Sequence, residues 1–326
     1  MNNNKITIRT DLALENCEML KEEGTLSDGI KCREDKTDIY KITTVEILNK
    51  TGSDALGRPE GRYVTIESNY LNFNDATCLS SIAEKTAEII GSLADFETAE
   101  SILAVGLGNW NITPDALGPK VIDKLLVTRH IMDTVPEELE GNVRSLSALS
   151  PGVMGITGIE TFEIIKGVAD KVKPDVIIAI DALAARNISR VNTTIQLSDT
   201  GVAPGAGVGN KRCELSRKTL GIPVIAIGVP TVVDAATLVN DTMEKILGQM
   251  AFHSGKGGAV YKMIEEMNDE DKYGLICEML GSQEANMFVT PKEVDLVIER
   301  LSGIISDAVN IAVHPGFSIE DTRKYK

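Results

Sequence analysis

Two aspartates stand where the sequence predicts that a buried strand gives way to a turn. Residues 102–107, Ile-Leu-Ala-Val-Gly-Leu, form an apolar run typical of a buried parallel strand, and Asp115 follows after a turn rich in Gly and Asn. Residues 176–180, Val-Ile-Ile-Ala-Ile, form a second such run, and Asp181 is the first polar residue after it. Open α/β sheets bind ligands beside the carboxyl ends of their strands. We therefore expect the two carboxyl groups to face each other across one crevice.

Two neighbouring carboxyl groups can catalyse hydrolysis by acid–base chemistry. Because such groups share one proton, one of them stays charged and takes a proton from water, while the other donates a proton to the leaving amine. The alternative is structural: Asp115 caps the helix that Gly118 and Pro119 open, and Asp181 merely ends its strand. Spacing alone leaves both interpretations open.

Glycine-rich stretches near the aspartates suggest backbone that must come close to a bound chain. Gly106-Leu-Gly, Gly205-Ala-Gly-Val-Gly and Ser254-Gly-Lys-Gly-Gly each lack part of a nucleotide-binding motif, which favours plain loops over phosphate cradles. The backbone around Gly108 and Asn109 is our candidate for supporting the oxyanion or the substrate strand.

Basic side chains are concentrated in the middle third of the chain, and Arg186 is the best candidate among them for holding an acidic side chain. The histidines, His130, His253 and His314, are isolated, and the five cysteines are scattered without the spacing of a zinc site. We predict no metal and no cofactor.

Apolar strands alternate with amphipathic helices along most of the chain. Such alternation implies βαβ crossovers, so we predict an α/β fold with a doubly wound, mostly parallel sheet and helices on both faces. Residues 39–48 and 62–67 alternate like two strands joined by a long turn, which indicates a small β-hairpin insertion near 36–72. Predicted helices include residues 75–93, 120–129, 159–172, 211–220 and 291–309.

The totals exclude several classes of protein. A net charge of −15 over 326 residues argues against direct nucleic-acid binding, which needs a basic surface. No apolar run reaches the roughly 18 residues of a membrane span. The N-terminal residues lack the apolar segment of a secretory signal, and we expect a cytoplasmic enzyme.

Long blocks of sequence around these residues resemble the germination protease family of spore-forming bacteria. The blocks are residues 105–119, 127–130, 180–186, 190–196 and 199–210, and the likeness runs from Arg9 to His314. The resemblance implies a fold similar to that of hydrogenase-maturation proteases. It also implies an endopeptidase that begins to degrade small acid-soluble spore proteins at germination, a homotetramer, and residence in the forespore or spore core. The family's two catalytic aspartates correspond to Asp115 and Asp181.

The resemblance also implies a zymogen that removes a short N-terminal piece of itself. The family cuts after an acidic residue that precedes a large apolar residue and Ala, and Asp11, Leu12 and Ala13 fit that pattern. Ile8 stands where the family prefers an acid, which indicates a slow substrate. We predict cleavage of the Asp11–Leu12 bond, which makes residues 1–11 a propeptide and residues 12–326 a single peptidase domain.

Three other functions stay open at this point. The first is a metal-dependent peptidase that uses the same aspartates as ligands together with a histidine. The second is an enzyme of similar architecture that handles a phosphate or nucleoside. The third is a non-catalytic assembly protein.

Overall fold

The computed structural model describes residues 10–22, 24–25, 28–96, 98–135, 141–205, 213–240 and 287–324, with isolated positions at 242, 243, 246 and 278. Outside the described residues lie most of the second glycine-rich stretch (206–210), the start of the predicted helix 211–220, His253 and the stretch 254–258.

Within the part of the chain that the structure describes, nine strands form one sheet. Its strands are β1 (Ile30–Lys36), β2 (Lys41–Ile47), β3 (Gly61–Glu67), β4 (Ser101–Gly106), β5 (Ser145–Leu149), β6 (Val176–Ala185), β7 (Thr194–Ser198), β8 (Val224–Asp234) and β9 (Phe288–Val289). The order across the sheet is β1-β2-β3-β7-β8-β6-β4-β5, and β9 pairs with β8.

The sheet has two halves of different pairing. In the parallel half, β5, β4, β6 and β8 run in one direction. In the antiparallel half, β7 runs against β8, and β3, β2 and β1 then alternate in direction. The α/β class is confirmed, and the sheet holds more antiparallel pairing than the sequence predicted. The reason is that β3 and β2, the strands of the predicted hairpin, extend the main sheet through the hydrogen bonds of β3 to β7.

Helices connect these strands. They are α1 (Ala13–Glu22), α2 (Lys50–Leu56), α3 (Ala76–Leu93), α4 (Leu117–Asp123), α5 (Met154–Thr157), α6 (Thr161–Val172), α7 (Arg217–Leu220), α8 (Val294–Val313) and α9 (Ile319–Lys324). The turn predicted between β2 and β3 contains α2. Helix 120–129 was predicted too far along the chain, because the backbone leaves α4 at Asp123 and resumes as a 3₁₀ turn at Arg129–Thr134.

Each face of the parallel half is covered by helices. Successive side chains of a strand point to opposite faces, and Ile102 and Ala104 of β4 accordingly belong to the apolar cluster that contains α3 and α8 residues. Leu103 and Val105 belong to the cluster on the other face, against Ile165 and Ala169 of α6. Burying one such Leu or Ile side chain contributes about 1.5–3 kcal/mol. The site described below therefore rests on a sheet packed on both sides.

None of the helices in the described ranges combines the length and the apolar character needed to span a membrane.

Candidate active site

At the candidate site, β6 extends beyond the end of its neighbour β4. The pairing of β4 with β6 ends at Gly106 and Ile180, whereas β6 continues alongside β8 as far as Ala185. Asp181 is the first residue of β6 beyond this point, and it pairs with Gly228 of β8. The prediction that Asp181 follows the end of its strand is thus wrong: the strand continues because β8 continues to pair with it.

Asp115 lies in a 3₁₀ turn, Thr113–Asp115, that packs on the end of β4. The backbone N–H of Asn109 donates to Oδ2 of Asp115 at 2.8 Å and to its carbonyl oxygen at 3.1 Å. Gly108 has φ +111°, and a Cβ there would lie 2.0 Å from the Asp115 carbonyl oxygen. Only glycine lets β4 and the turn approach so closely. Gly108 and Asn109, predicted to support an oxyanion or a substrate, therefore fix Asp115 itself.

The capping role considered for Asp115 is not what the structure has. Helix α4 begins at Leu117, its N-cap residue is Ala116, and no side chain caps it by a hydrogen bond. The Asp115 side chain therefore does not cap α4, and its Oδ2 accepts the Asn109 N–H instead.

The electrostatics of Asp181 are those of a buried acid beside other acids. Its side chain is only 7% exposed. Burial raises the pKa of Asp181 well above its usual value of 3.8, and the negative charges of Asp115 and Asp11 raise it further. A hydrogen bond of 3.0 Å from the Ala182 N–H to Oδ1 opposes this rise only in part. Asp181 thus holds its proton at pH values at which an exposed aspartate has lost it.

The predicted cleavage segment runs along β6 beside these acids. The N–H of Asp11 donates to the carbonyl oxygen of Ala184 at 2.9 Å, and the Ala184 N–H donates to Oδ2 of Asp11 at 2.9 Å. The Asp11 carboxylate therefore replaces the backbone carbonyl that a paired strand would supply to Ala184. As a result, the Asp11 carbonyl oxygen is left for another donor.

That donor is Gln196 of β7. Its Nε2 donates to the Asp11 carbonyl oxygen at 3.0 Å, and its Oε1 accepts from the Ala13 N–H at 2.7 Å. The two ends of one side-chain amide thus hold the backbone on both sides of the Asp11–Leu12 bond. No feature of the sequence had singled out Gln196.

Leu12 fills an apolar pocket next to the acids. Its side chain is fully buried, and its cluster consists of Leu183, Ala185, Val191 and Val233, with Val289 packed against it. Leu183 follows Asp181 by two positions on β6, so the two side chains start on the same face of the strand. The pocket therefore adjoins Asp181.

Charged groups on the other side of the segment hold residues 10–15. Nη2 of Arg58 donates to the Thr10 carbonyl oxygen at 3.1 Å. Burial lowers the pKa of the Arg58 guanidinium, and the negative charges of Asp11 and Glu15 oppose that effect. Glu15 accepts the backbone N–H groups of Arg186 and Asn187 at 2.8 and 2.9 Å.

Arg186, predicted to hold an acidic side chain, is half-buried directly after β6. Its backbone N–H donates to Glu15 of the leader segment, by which we mean residues 10–15. Arg58, which sequence analysis had not named, is a cation that acts on Asp11.

The described histidines lie in environments of other kinds. His130 is exposed in the 3₁₀ turn after α4. His314 is buried: its Nδ1 accepts the Arg144 N–H, its Nε2 faces the Leu126 carbonyl oxygen, and burial lowers its pKa to about 4. Across the ranges that the structure describes, no three His, Cys, Asp or Glu side chains come together as a metal site.

Comparison with known proteins decides the family. The germination protease family model matches residues 8–260 and 253–326. The chain belongs to the germination protease family. It is therefore a protease, a hydrolase whose family name ties it to spore germination, and the resemblance of the sequence blocks is confirmed.

Individual relatives match over nearly the whole chain. The germination protease of Caldanaerobacter subterraneus subsp. tengcongensis is 49% identical over 95% of both chains. That of Clostridium tetani is 45% identical over 98% of this chain and 99% of its own, and that of Bacillus cereus is 42% identical over 98% and 97%.

Among solved structures, the hydrogenase maturation protease HycI of Thermococcus kodakarensis matches 68% of this chain and 98% of its own. It shares 15% sequence identity with this protease at a TM-score of 0.31.

Proposed function

We propose that this protease is an aspartate-dependent endopeptidase in which Asp115 and Asp181 together activate water against a peptide bond. The observation that carries the proposal is the position of buried Asp181, whose pKa is raised by burial, by Asp115 and by Asp11. Enzymes shift pKa values in this way where two carboxyl groups divide acid and base work.

The difference in burial between the two acids supports a division of roles between them. Asp181, which keeps its proton, donates it to the leaving amide nitrogen. Asp115, which is half-exposed and accepts the Asn109 N–H, takes the proton from water. The pair titrates as a unit, so the proton that enters on Asp115 can return to Asp181 for the next turnover.

The protease is made as a zymogen and cuts its own Asp11–Leu12 bond, which frees residues 1–11 as a propeptide and leaves 12–326 as the mature domain. Asp11 supplies the acid before the cut bond and Leu12 the large apolar residue after it. The hydrogen bonds of Asp11 to Ala184 and Gln196 support this proposal, since they hold the bond against β6 as a bound substrate.

Its external substrates are small acid-soluble spore proteins, degraded in the cytoplasm of the spore core by a homotetramer without a cofactor. Family membership supports this part of the proposal. The net charge of −15 fits an enzyme that takes proteins released from DNA and does not bind DNA itself.

The test is cleavage of a purified small acid-soluble spore protein by chains that begin at Leu12. We expect Asp115→Asn and Asp181→Asn each to lower kcat by about 10²–10⁴-fold or more, because each removes an acid–base group. Asp123→Asn, an exposed acid at the end of α4, is the matched control and should keep wild-type activity.

A chelator arm separates this mechanism from the metal-dependent alternative. Resistance to excess chelator together with loss of activity in both variants supports the dyad. Loss of activity with chelator that a metal ion restores supports the metal-dependent peptidase. Full activity in either Asp variant rules out the proposed mechanism.

A further inference from the structure

The Asp11 carbonyl is the group that water attacks when the Asp11–Leu12 bond is cut, and its oxygen must gain negative charge in that step. Stabilising that charge with a preorganised donor is a large term in amide hydrolysis. The backbone donors near Asp115 are used elsewhere: the Leu107 N–H donates to the Ile180 carbonyl oxygen at 2.8 Å, and the Asn109 N–H donates to Asp115.

Gln196 supplies the contact to this carbonyl. Nε2 lies 3.0 Å from the Asp11 carbonyl oxygen, within the range of an oxyanion donor. The orientation of the amide is fixed by its other end, since only Oε1 can accept the Ala13 N–H.

The fold holds Gln196 rigidly. Its backbone pairs with Thr65 of β3 on one side and Gly228 of β8 on the other, so β7 is an interior strand at this position. Its side chain is 8% exposed, and Gly228 is also the partner of Asp181. One residue of β8 thus sets the register between the donor and the buried acid.

We propose that Gln196 is a catalytic residue of this protease that binds the reacting carbonyl through Nε2 and the N–H of the second residue after the cut bond through Oε1. This inference rests on the proposed peptidase function and on bound residues 11–13 standing in for a substrate.

Water adds to the carbonyl carbon and gives one proton to the ionised Asp115 carboxylate. The π electrons of the carbonyl move to its oxygen, which the Gln196 Nε2–H contacts. When the tetrahedral intermediate collapses, the C–N bond breaks and the Asp181 carboxyl group gives its proton to the leaving nitrogen. Gln196 exchanges no proton and is unchanged at the end.

A plain structural alternative exists, in which Gln196 only anchors the propeptide. The two accounts differ in a chain that begins at Leu12 and so has no propeptide. In that chain the contact from Nε2 to Asp11 is lost, so a residue that only anchors the propeptide does not affect kcat, whereas a donor to the reacting carbonyl of an added peptide still controls kcat.

The experiment uses chains beginning at Leu12 and a peptide with the sequence of residues 5–16, whose cut bond corresponds to Asp11–Leu12. We expect Gln196→Leu and Gln196→Glu to lower kcat by about a hundredfold, with a smaller change in KM. Thr194→Val is the matched control on the same face of β7, because the Thr194 hydroxyl is buried without a hydrogen-bond partner among the described residues.

A second peptide, N-methylated at the position of Ala13, tests the other end of the amide. It should reduce kcat/KM of the wild-type chain by about fivefold to tenfold and leave that of Gln196→Leu unchanged. This measurement on the wild type also covers the case in which the variants do not fold: an unreduced kcat/KM there overturns the proposal.

The remaining outcomes separate the two claims. Wild-type kcat in Gln196→Leu, with Asp181→Asn inactive, overturns the role of Gln196 and keeps the peptidase. Cleavage of the peptide by Asp181→Asn overturns the proposed function itself.

Discussion

The parallel and antiparallel halves of the sheet contribute different parts of the candidate site. The parallel half carries the two aspartates, Asp115 in the turn after β4 and Asp181 within β6. The antiparallel half brings Gln196 on β7 and Arg58 after α2, which meet the leader segment only in the folded chain. The difference suggests that one half does the acid–base chemistry and the other holds the substrate.

This division makes a prediction for Gly108, on the side of the acids. Gly108→Ala would place a Cβ 2.0 Å from the Asp115 carbonyl oxygen at φ +111°, so the turn must move away from β4. A displacement of about 1 Å at a catalytic group lowers kcat by about a hundredfold. The measurement is kcat of the mature-length chain together with its Tm.

Gly167→Ala is the control for Gly108. Gly167 lies exposed inside α6 with nothing within 4 Å of an added Cβ, so Ala there should raise stability by about 0.5–1 kcal/mol and leave kcat unchanged. Wild-type kcat in Gly108→Ala would remove the claim that close packing positions Asp115.

Arg58 tests the substrate-holding side. Arg58→Gln removes the cation beside Asp11, so kcat/KM for the 5–16 peptide should fall by about tenfold, mainly through KM. For the same peptide with Asn in place of Asp11, the variant and the wild type should differ much less. Arg186→Gln is the matched comparison and should leave this preference for an acid intact. An equal loss of kcat/KM on both peptides would mean that Arg58 does not contribute to the preference for an acid at the position of Asp11.

The raised pKa of Asp181 predicts a pH dependence of stability. Because its folded pKa lies above its unfolded value near 3.8, the folded state binds the extra proton between those two values. The free energy of unfolding should therefore fall as pH rises through that window, by about 1.4 kcal/mol for each unit of the shift. Asp181→Asn should lack this fall and be more stable than wild type at neutral pH. Identical pH profiles of the unfolding free energy for wild type and Asp181→Asn would contradict a raised pKa of Asp181 in the folded state.

Leu12 gives the smallest expected effect. Leu12 is buried in its pocket, and after the proposed cleavage at Asp11–Leu12 we expect its side chain to stay there and compete with the apolar residue of an incoming substrate. Leu12→Ala in the mature-length chain empties most of that pocket, so KM for the 5–16 peptide should fall by about fivefold with little change in kcat. An unchanged KM would mean that the Leu12 side chain of the mature-length chain does not compete with substrate for the pocket.

The parallel and antiparallel halves of the sheet also differ in how much of each could be predicted from the sequence. The apolar runs before Asp115 and Asp181 are local signals, and they predicted both strands, the helices on both faces and the closeness of the two acids. Register is not a local signal. Pairing of Asp181 with Gly228 lengthens β6 past the predicted end, and pairing of β3 with β7 turns the predicted hairpin into part of the main sheet.

The residues that we propose hold the substrate could not be predicted, for the same reason. Gln196 stands in a run of buried Thr and Ile, and nothing in its neighbours along the chain indicates that Asp11 and Ala13 lie against it. The sequence favours Arg186 among the basic residues of the middle third because it follows Asp181 by five positions, and Arg58 lies outside that part of the chain. In the fold, the connection after α2 brings Arg58 to the leader segment instead.

We propose that the Asp115–Asp181 pair cuts the bond that Gln196 and β6 hold. The N-terminus of the processed chain shows whether it does. Purified full-length wild type, Asp115→Asn and Asp181→Asn would be incubated under identical processing conditions and followed by intact mass and N-terminal sequencing. The account predicts that wild type acquires Leu12 as its first residue and that both variants retain residues 1–11. Processing of either variant at the same bond, or a wild-type chain cut elsewhere, would contradict it.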